Sequence, residues 1–271
     1  MGRYRYYLAL QTLLPDTYKN DRAFIANLEV LQSHGFDGVE LNVRDPSAVD
    51  PVDLKHFLSD FNLSLSMFAT GFTAKTEELS LASLDETKRK HSMKRPCEFL
   101  QFTKEFEAGI IAGFLKASAG DNTPKNREAL KASIAEIAAE ALKLKTYFLV
   151  EAINRFESPL GGNSLDDTWN LLQGSSNPYT VILPDTWHMN IEESNIEATV
   201  LRHKDHFVNF HLSDNNRFFS GHGALDFKKI LGILDANGYT GKLAIEGNLK
   251  QRFSKDVETA MDFLRPLIKK R

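Results

Sequence analysis

The sequence predicts a (β/α)8 barrel built as a single domain over residues 1–271. Three observations lead there. Strand-like apolar runs alternate with helix-periodic segments along the whole chain, the pattern of parallel strands joined by crossover helices. Eight such units follow one another without a composition break or linker. The chain length is close to the roughly 250 residues typical of this barrel. A doubly wound open sheet shares the alternation but usually carries a Gly-rich phosphate turn after an early strand, and Gln11-Thr-Leu-Leu-Pro-Asp16 contains no glycine.

Taken in order, the first unit is a strand at 4–10 and a helix at 21–34, where Phe24, Leu28 and Leu31 recur at helical spacing and Gly35 supplies the stop. Gly38-Val-Glu-Leu41 is the second strand, with a helix at 52–61. The third strand covers 63–69. The polar segment 70–86 that follows exceeds the usual connection length and is expected to serve as a lid or substrate loop. A long helix at 90–106 contains Pro96, which is expected to kink or divide it. The fourth unit joins a strand at 109–115 to an Ala- and Leu-rich helix at 126–144, with Asn122-Thr123-Pro124 as cap and first turn. Four further strands at 146–150, 179–183, 207–210 and 243–245 lead to helices at 166–173, 192–203, 227–237 and 256–268.

Those last four strands share a feature. They run into Glu151, Asp185 (through Pro184), His211 and Glu246 respectively. In a (β/α)8 barrel the carboxyl ends of the strands open into one mouth, so residues far apart in sequence become neighbours. Carboxylates and an imidazole converging there form a ligand set for a hard or borderline divalent ion. One such ion is expected, Mn²⁺ by preference, with Mg²⁺, Co²⁺ and Zn²⁺ as alternatives.

Composition narrows the function further. With 33 basic and 36 acidic residues and a formal net charge of -3, the chain offers no basic excess for nucleic acid. One cysteine, Cys97, excludes an internal disulfide and a cysteine-rich metal cluster. The start of the chain lacks the pattern of a signal peptide, and no apolar run approaches the roughly 18 residues of a membrane span. A cytoplasmic protein is the expectation.

The segments after these strands carry a resemblance. Glu151-Ala-Ile-Asn-Arg-Phe-Glu157, Asp185-Thr-Trp-His-Met-Asn-Ile-Glu-Glu193, His211-Leu-Ser-Asp-Asn-Asn-Arg217 with Gly221-His-Gly223, and Ile245-Glu-Gly-Asn248 resemble successive motifs of the D-tagatose/D-allulose (psicose) 3-epimerase family, one of the xylose isomerase-like barrels. The likeness covers strands five to eight. Gly38-Val-Glu-Leu41 is similar only at the level of the superfamily, and Ala152 stands where many relatives have proline. The resemblance implies Glu151, Asp185, His211 and Glu246 as metal ligands, and Glu157, His188 and Arg217 as contacts to the carbonyl and first hydroxyls of a ketose. It also implies a homo-oligomer, a dimer or tetramer. Inverting C3 of a ketose through a cis-enediolate needs a base on each face of the carbon, and Glu151 and Glu246 are the candidates for that catalytic pair.

Several readings stay open. A hydroxypyruvate isomerase or inosose dehydratase would share the ligand pattern, as would, less closely, a nuclease of the endonuclease IV type, which needs more histidines and a basic face. A sugar-binding barrel without catalysis has no need of two flanking carboxylates. A phosphorylated ketose could find a cation in Lys116, or backbone amides around Lys250 and Arg252, which follow the eighth strand. Lys116 could equally point into solvent. Tyr6, Phe68, Phe218, Phe219 and Phe253 are candidates for the wall at the sugar's distal end. His34, His56, His91, His203 and His206 have helical contexts and read as structural.

Overall fold

The computed structural model describes residues 4–158 and 160–268. In chain order the strands are β1 (Tyr7–Leu13), β2 (Gly38–Asn42), β3 (Ser64–Ala69), β4 (Gly109–Ala112), β5 (Tyr147–Glu151), β6 (Thr180–Leu183), β7 (Asn209–Leu212) and β8 (Lys242–Ile245). The helices are α1 (Arg22–His34), α2 (Pro51–Ser59), α3 (Gly71–Thr76), α4 (Glu86–Thr103), α5 (Pro124–Leu144), α6 (Leu165–Leu172), α7 (Thr186–Glu192), α8 (Ile196–His203), α9 (Phe227–Ala236) and α10 (Phe253–Ile268). Local chemistry sets many of their starts. Asp21, Asp50, Asp85, Ser164, Asn195 and Asp226 each accept a hydrogen bond from the backbone N–H three residues on. Thr123 and Asn126 form a reciprocal capping box ahead of α5.

All eight strands are parallel, in the order β6-β5-β4-β3-β2-β1-β8-β7. The two ends of that order meet at a seam, where Asp185 and His211 form a parallel bridge and the His211 N–H donates to the Pro184 carbonyl at 2.9 Å. The sheet is therefore a nearly closed (β/α)8 barrel. Two of the residues that the sequence marks for chemistry stand at its closing point.

Strand side chains alternate between two cores. Met67, Ile111, Leu149, Val181 and Leu183 fill the barrel interior. Phe68, Ile110, Phe148, Ile182 and Phe210 face outward into the layer beneath the helices. No helix among the described residues is long and apolar enough to cross a membrane.

The structure departs from the sequence expectations at several elements, among them β4, which ends at Ala112 rather than at residue 115. β1 begins at Tyr7 rather than at residue 4, because Arg5 is held elsewhere: its N–H donates to the Ile268 carbonyl at 3.0 Å and its guanidinium to Leu267, fastening the chain start to the end of α10. Pro96 lies within an uninterrupted α4. Segment 70–86 is folded rather than an open polar loop, since it contains α3, buries Leu79, Leu81 and Ala82, and pairs its backbone with Leu115 and Lys116. The helix expected at 192–203 begins only at Ile196, where Asn195 caps α8, and a separate helix that the sequence did not announce, α7, precedes it.

Gly109 opens β4 where the neighbouring strand comes closest: a Cβ there would collide with the carbonyl oxygen and Cβ of Tyr147. Gly109→Ala is expected to cost about 1–3 kcal/mol of stability, read from urea unfolding. A variant as stable as the parent would show that the two strands can move apart freely.

Candidate active site

Each site side chain is delivered by the carboxyl end of a strand. Glu151 is the last residue of β5, His211 lies in β7, Glu246 follows β8 directly, and Asp185 caps α7 just beyond β6. One ligand atom from each of the four lies within 4.8 Å of all the others. His211 Nδ1 is 2.5 Å from Glu246 Oε2 and 3.8 Å from both Glu151 Oε1 and Asp185 Oδ2. Glu151 Oε1, Glu246 Oε2 and His211 Nδ1 are all buried without a well-formed hydrogen bond. Buried polar atoms are rarely left so, and three that point at one another make a site for a shared cation. Three carboxylates and one imidazole suit a divalent ion, and this cluster could hold one.

A carboxylate that sequence reasoning passed over orients the imidazole. Glu40, fully buried in the middle of β2, lies 3.0 Å from His211 Nε2 and also accepts from Gln11 at 2.6 Å and Asn209 at 3.1 Å. With Nε2–H directed at Glu40, the Nδ1 lone pair faces the cluster, an arrangement that fixes the tautomer of a ligating histidine. The one signal in the sequence was an acid inside the apolar run Gly38-Val-Glu-Leu41.

His188 has the opposite polarity. Its Nδ1 accepts from the Asn154 backbone N–H at 3.1 Å, with the Asn154 Nδ2 at 2.8 Å, so Nε2 carries the proton and points toward Glu151 Oε1, 3.8 Å away. Arg217 reaches over the cluster, donating to Asp185 Oδ2 at 2.7 Å and Glu246 Oε1 at 2.6 Å while its guanidinium lies 4.6 Å from the Trp187 ring centre. The backbone of Arg217 is left-handed, with φ of 62°, and its carbonyl accepts from Asn248 at 2.7 Å, which ties the loop after β7 to the loop after β8. Asp185 turns its other oxygen to the N–H groups of Trp187 and His188 at the start of α7.

Burial and mutual proximity divide the protons unevenly. Burial, and then the Glu246 carboxylate, raise Glu151 to about 8. Burial is the largest single influence on Asp185 and Glu246 and opposes their ionisation, but Arg217 together with His188 and His211 at Asp185, and with His211 at Glu246, outweighs it and holds both low. Burial would lower His211, yet Glu40 and Glu246 keep its imidazole well above the ordinary range. His188 falls to about 4 through burial, and is neutral at pH 7. Protons held by Glu151 and His211 must leave when a cation binds them.

Glu151, His188, Arg217 and Glu246 line a cavity of about 300 Å³, with Asp185 and His211 buried behind them. Its opposite wall holds Gln11, Asn42, Phe72, Lys75 and Phe114. Glu157, the remaining residue of the expected set, stands apart: it is exposed on the turn after β5 and lines an adjoining groove, although its carboxyl still feels the charges of Arg217 and Lys75.

Other expectations need correction. Lys116 faces neither solvent nor the mouth; it is buried, and its ammonium donates to the carbonyls of Glu151 at 2.7 Å and Gly162 at 3.0 Å, bracing the catalytic strand end from behind. The backbone amides of Lys250 and Gln251 are both taken by Asp256 at 2.9 Å, so they are not free for a phosphate. Tyr6, Phe68 and Phe219 belong to the core, and none of the five aromatic residues expected in the distal wall lines the cavity; Phe72 and Phe114 do. These two escaped notice because α3 and the turn after β4 were read as loop and strand.

Residues 28–267 match the family described as xylose isomerase-like TIM barrel. An L-ribulose 3-epimerase of Mesorhizobium japonicum is 28% identical over 223 residues, covering 78% of this chain and 71% of that protein. Among solved structures, a 3-keto-D-glucoside 4-epimerase from E. coli superposes with a TM-score of 0.81 at 20% identity, over 96% of this chain and 99% of that one. The D-allulose 3-epimerase from Methylomonas sp. in complex with D-allulose gives 0.80 at 19% identity, over 98% of each chain.

Because Glu40 fixes the histidine's orientation, Glu40→Gln is expected to weaken divalent-metal binding about 10–100-fold, measured by chelator competition. Unchanged affinity would mean that His211 is oriented without it.

Proposed function

The chain belongs to the xylose isomerase-like TIM barrel family, and on that premise we propose that it is a divalent-metal-dependent ketose 3-epimerase. The observation that carries the reading is the pairing of Glu151 and Glu246, which reach one cavity from β5 and β8 with His211 and Asp185 between them. A binding protein needs no such pair of carboxylates. Curated relatives named as 3-epimerases support the same reaction. A nuclease of the endonuclease IV type would need a cluster of several metals, and the described residues bring together no second group of ligands.

The C3 proton of a ketose is weakly acidic because it lies beside the C2 carbonyl. One of the two glutamates, ionised, removes it from one face, and the other, entering the step protonated, gives its own proton to the opposite face, the two exchanging roles in the reverse direction. A Mn²⁺ ion held by Glu151, Asp185, His211 and Glu246 would supply Lewis-acid stabilisation of the negative charge that builds on the substrate oxygens. His188 donates its Nε2–H to the carbonyl oxygen, and being neutral it polarises this oxygen without surrendering a proton outright. Arg217 adds positive charge where the enediolate forms. Glu157, which lines the adjoining groove, would reach hydroxyls of the substrate only from outside the cavity. The closed floor of the barrel and the buried ligands keep bulk water from the C3 carbanion face, so that protons arrive from the two glutamates.

Removing metal with a chelator is expected to abolish activity toward ketoses, and adding Mn²⁺, Co²⁺ or Mg²⁺ to restore it; full activity in a verified metal-free preparation would sink the proposal. The two-base assignment has its own test. Metal-loaded Glu246→Gln and Glu151→Gln should each lose about 10²–10⁴ in epimerisation. Each should still exchange the C3 proton of one epimer with solvent deuterium, and the two variants should choose opposite epimers. If both exchange the same epimer, one glutamate is a ligand only.

A further inference from the structure

From the cavity and its surroundings we infer that the natural substrate is a ketosugar bearing a second sugar on a hydroxyl remote from the reacting carbon, and that Phe156 is the platform for this second unit. This rests on the epimerase reading and extends it to substrate class. At about 300 Å³ the cavity is small, near the lower end of the roughly 300–1,000 Å³ usual for small-molecule sites. It does not end there. Lys75 and Phe114, whose ammonium and ring centre are 3.9 Å apart, line both this cavity and an outer groove of about 650 Å³, twice its size.

Phe156 lies in that groove with 81% of its surface exposed. Isolated exposed apolar residues are common and need no function. This one is held in place. Its N–H donates to the Asn154 side chain at 3.0 Å, the Glu157 N–H to the Asn154 carbonyl at 3.1 Å, and the guanidinium of Arg155 is fixed by both oxygens of Glu192, the closest contact being 2.7 Å. Asn154 is itself fully buried against His188. The backbone of the turn that presents the phenyl ring is thus anchored on a cavity residue, and an exposed aromatic ring on a fixed turn beside a sugar site suits the apolar face of a second sugar ring.

Charge favours a neutral unit over a phosphate. Lys75 and Lys88 share the groove's lining with Glu78 and Glu157, while Arg155 is already neutralised by Glu192. No excess of positive potential is left for an anion.

The test uses Mn²⁺-loaded protein and two matched pairs: a ketohexose with its 6-O-glucosyl derivative, and a methyl 3-ketoglucoside with the corresponding disaccharide. Deuterium exchange at the carbon beside the ketone is followed together with kcat and KM. The second sugar is expected to raise kcat/KM about tenfold, mainly through KM, in whichever pair reacts. Phe156→Ala should remove the gain and leave the single sugar unaffected, while Phe156→Trp should retain it. Equal rates within each pair, or an equal loss for both members in Phe156→Ala, would overturn the inference. An equal loss accompanied by a change of oligomeric mass in light scattering would also do so, by showing the ring to be a subunit contact. Exchange with neither the ketohexose nor its glucosyl derivative, in protein that binds Mn²⁺, would instead overturn the ketose 3-epimerase reading on which this one rests.

Discussion

Three carboxylates cannot share a dry pocket unless something compensates them, and most of the architecture around the barrel mouth answers that constraint. Glu151, Asp185 and Glu246 are brought within 4.8 Å of one another and of His211. Left alone, like charges at that separation in a medium of low polarity would suppress one another's ionisation. Arg217 closes on two of them, His211 meets a third contact at Glu246, and the remaining carboxyl, Glu151, takes up a proton instead. The cluster is thus balanced by groups that a divalent cation can replace. A packed apolar core would be the more stable way to fill this space; a site whose compensation is exchangeable is what a metal-dependent enzyme requires.

How much of this could be read from the sequence depended on where each residue's signal lies. The barrel was legible because its evidence is periodic and local: alternating strands, capped helices, stop glycines. The four metal-ligand candidates were legible because the fold itself places strand ends at one mouth, so Glu151, Asp185, His211 and Glu246 needed no long-range contact to be grouped. Glu40 was hidden for the opposite reason. It lies mid-strand in an apolar run, and its partner His211 is 171 positions away across the barrel, which no periodicity reports. Phe72, Lys75 and Phe114 escaped because they sit on one-turn elements too short to leave a pattern. Lys116 was visible as a cation near the mouth, but the carbonyls that claim it belong to Glu151 and Gly162, and backbone acceptors have no signature in side-chain sequence.

The same braces link fold and chemistry. Asp185 and His211 close the barrel seam through their backbones while their side chains join the cluster, so the seam cannot open without dispersing the ligands. Behind β5, Lys116 ties the end of the strand to the loop at Gly162. Behind β7, Asp214 accepts from the backbones of Gly221, Gly223 and Leu225 and folds the loop that carries Arg217. These strand ends are therefore held by buried polar groups on their outer sides, while the inward oxygens of Asp185 and Glu246 meet Arg217 and His211.

Two histidines at one site, His188 in the cavity wall and His211 buried behind it, are set for unlike tasks, and the difference comes from what each ring nitrogen meets on its far side. An acceptor behind His211, the carboxylate of Glu40, draws the proton to Nε2 and turns a lone pair on Nδ1 to the cluster. A donor behind His188, the backbone N–H of Asn154, occupies Nδ1 and leaves Nε2–H facing inward. The first ring can therefore ligate a cation, whereas the second can only donate. Exchanging the groups behind the rings would exchange their roles without moving either imidazole. Assignment of function at this site thus rests less on which histidines line the cavity than on the buried acid and amide that stand behind them.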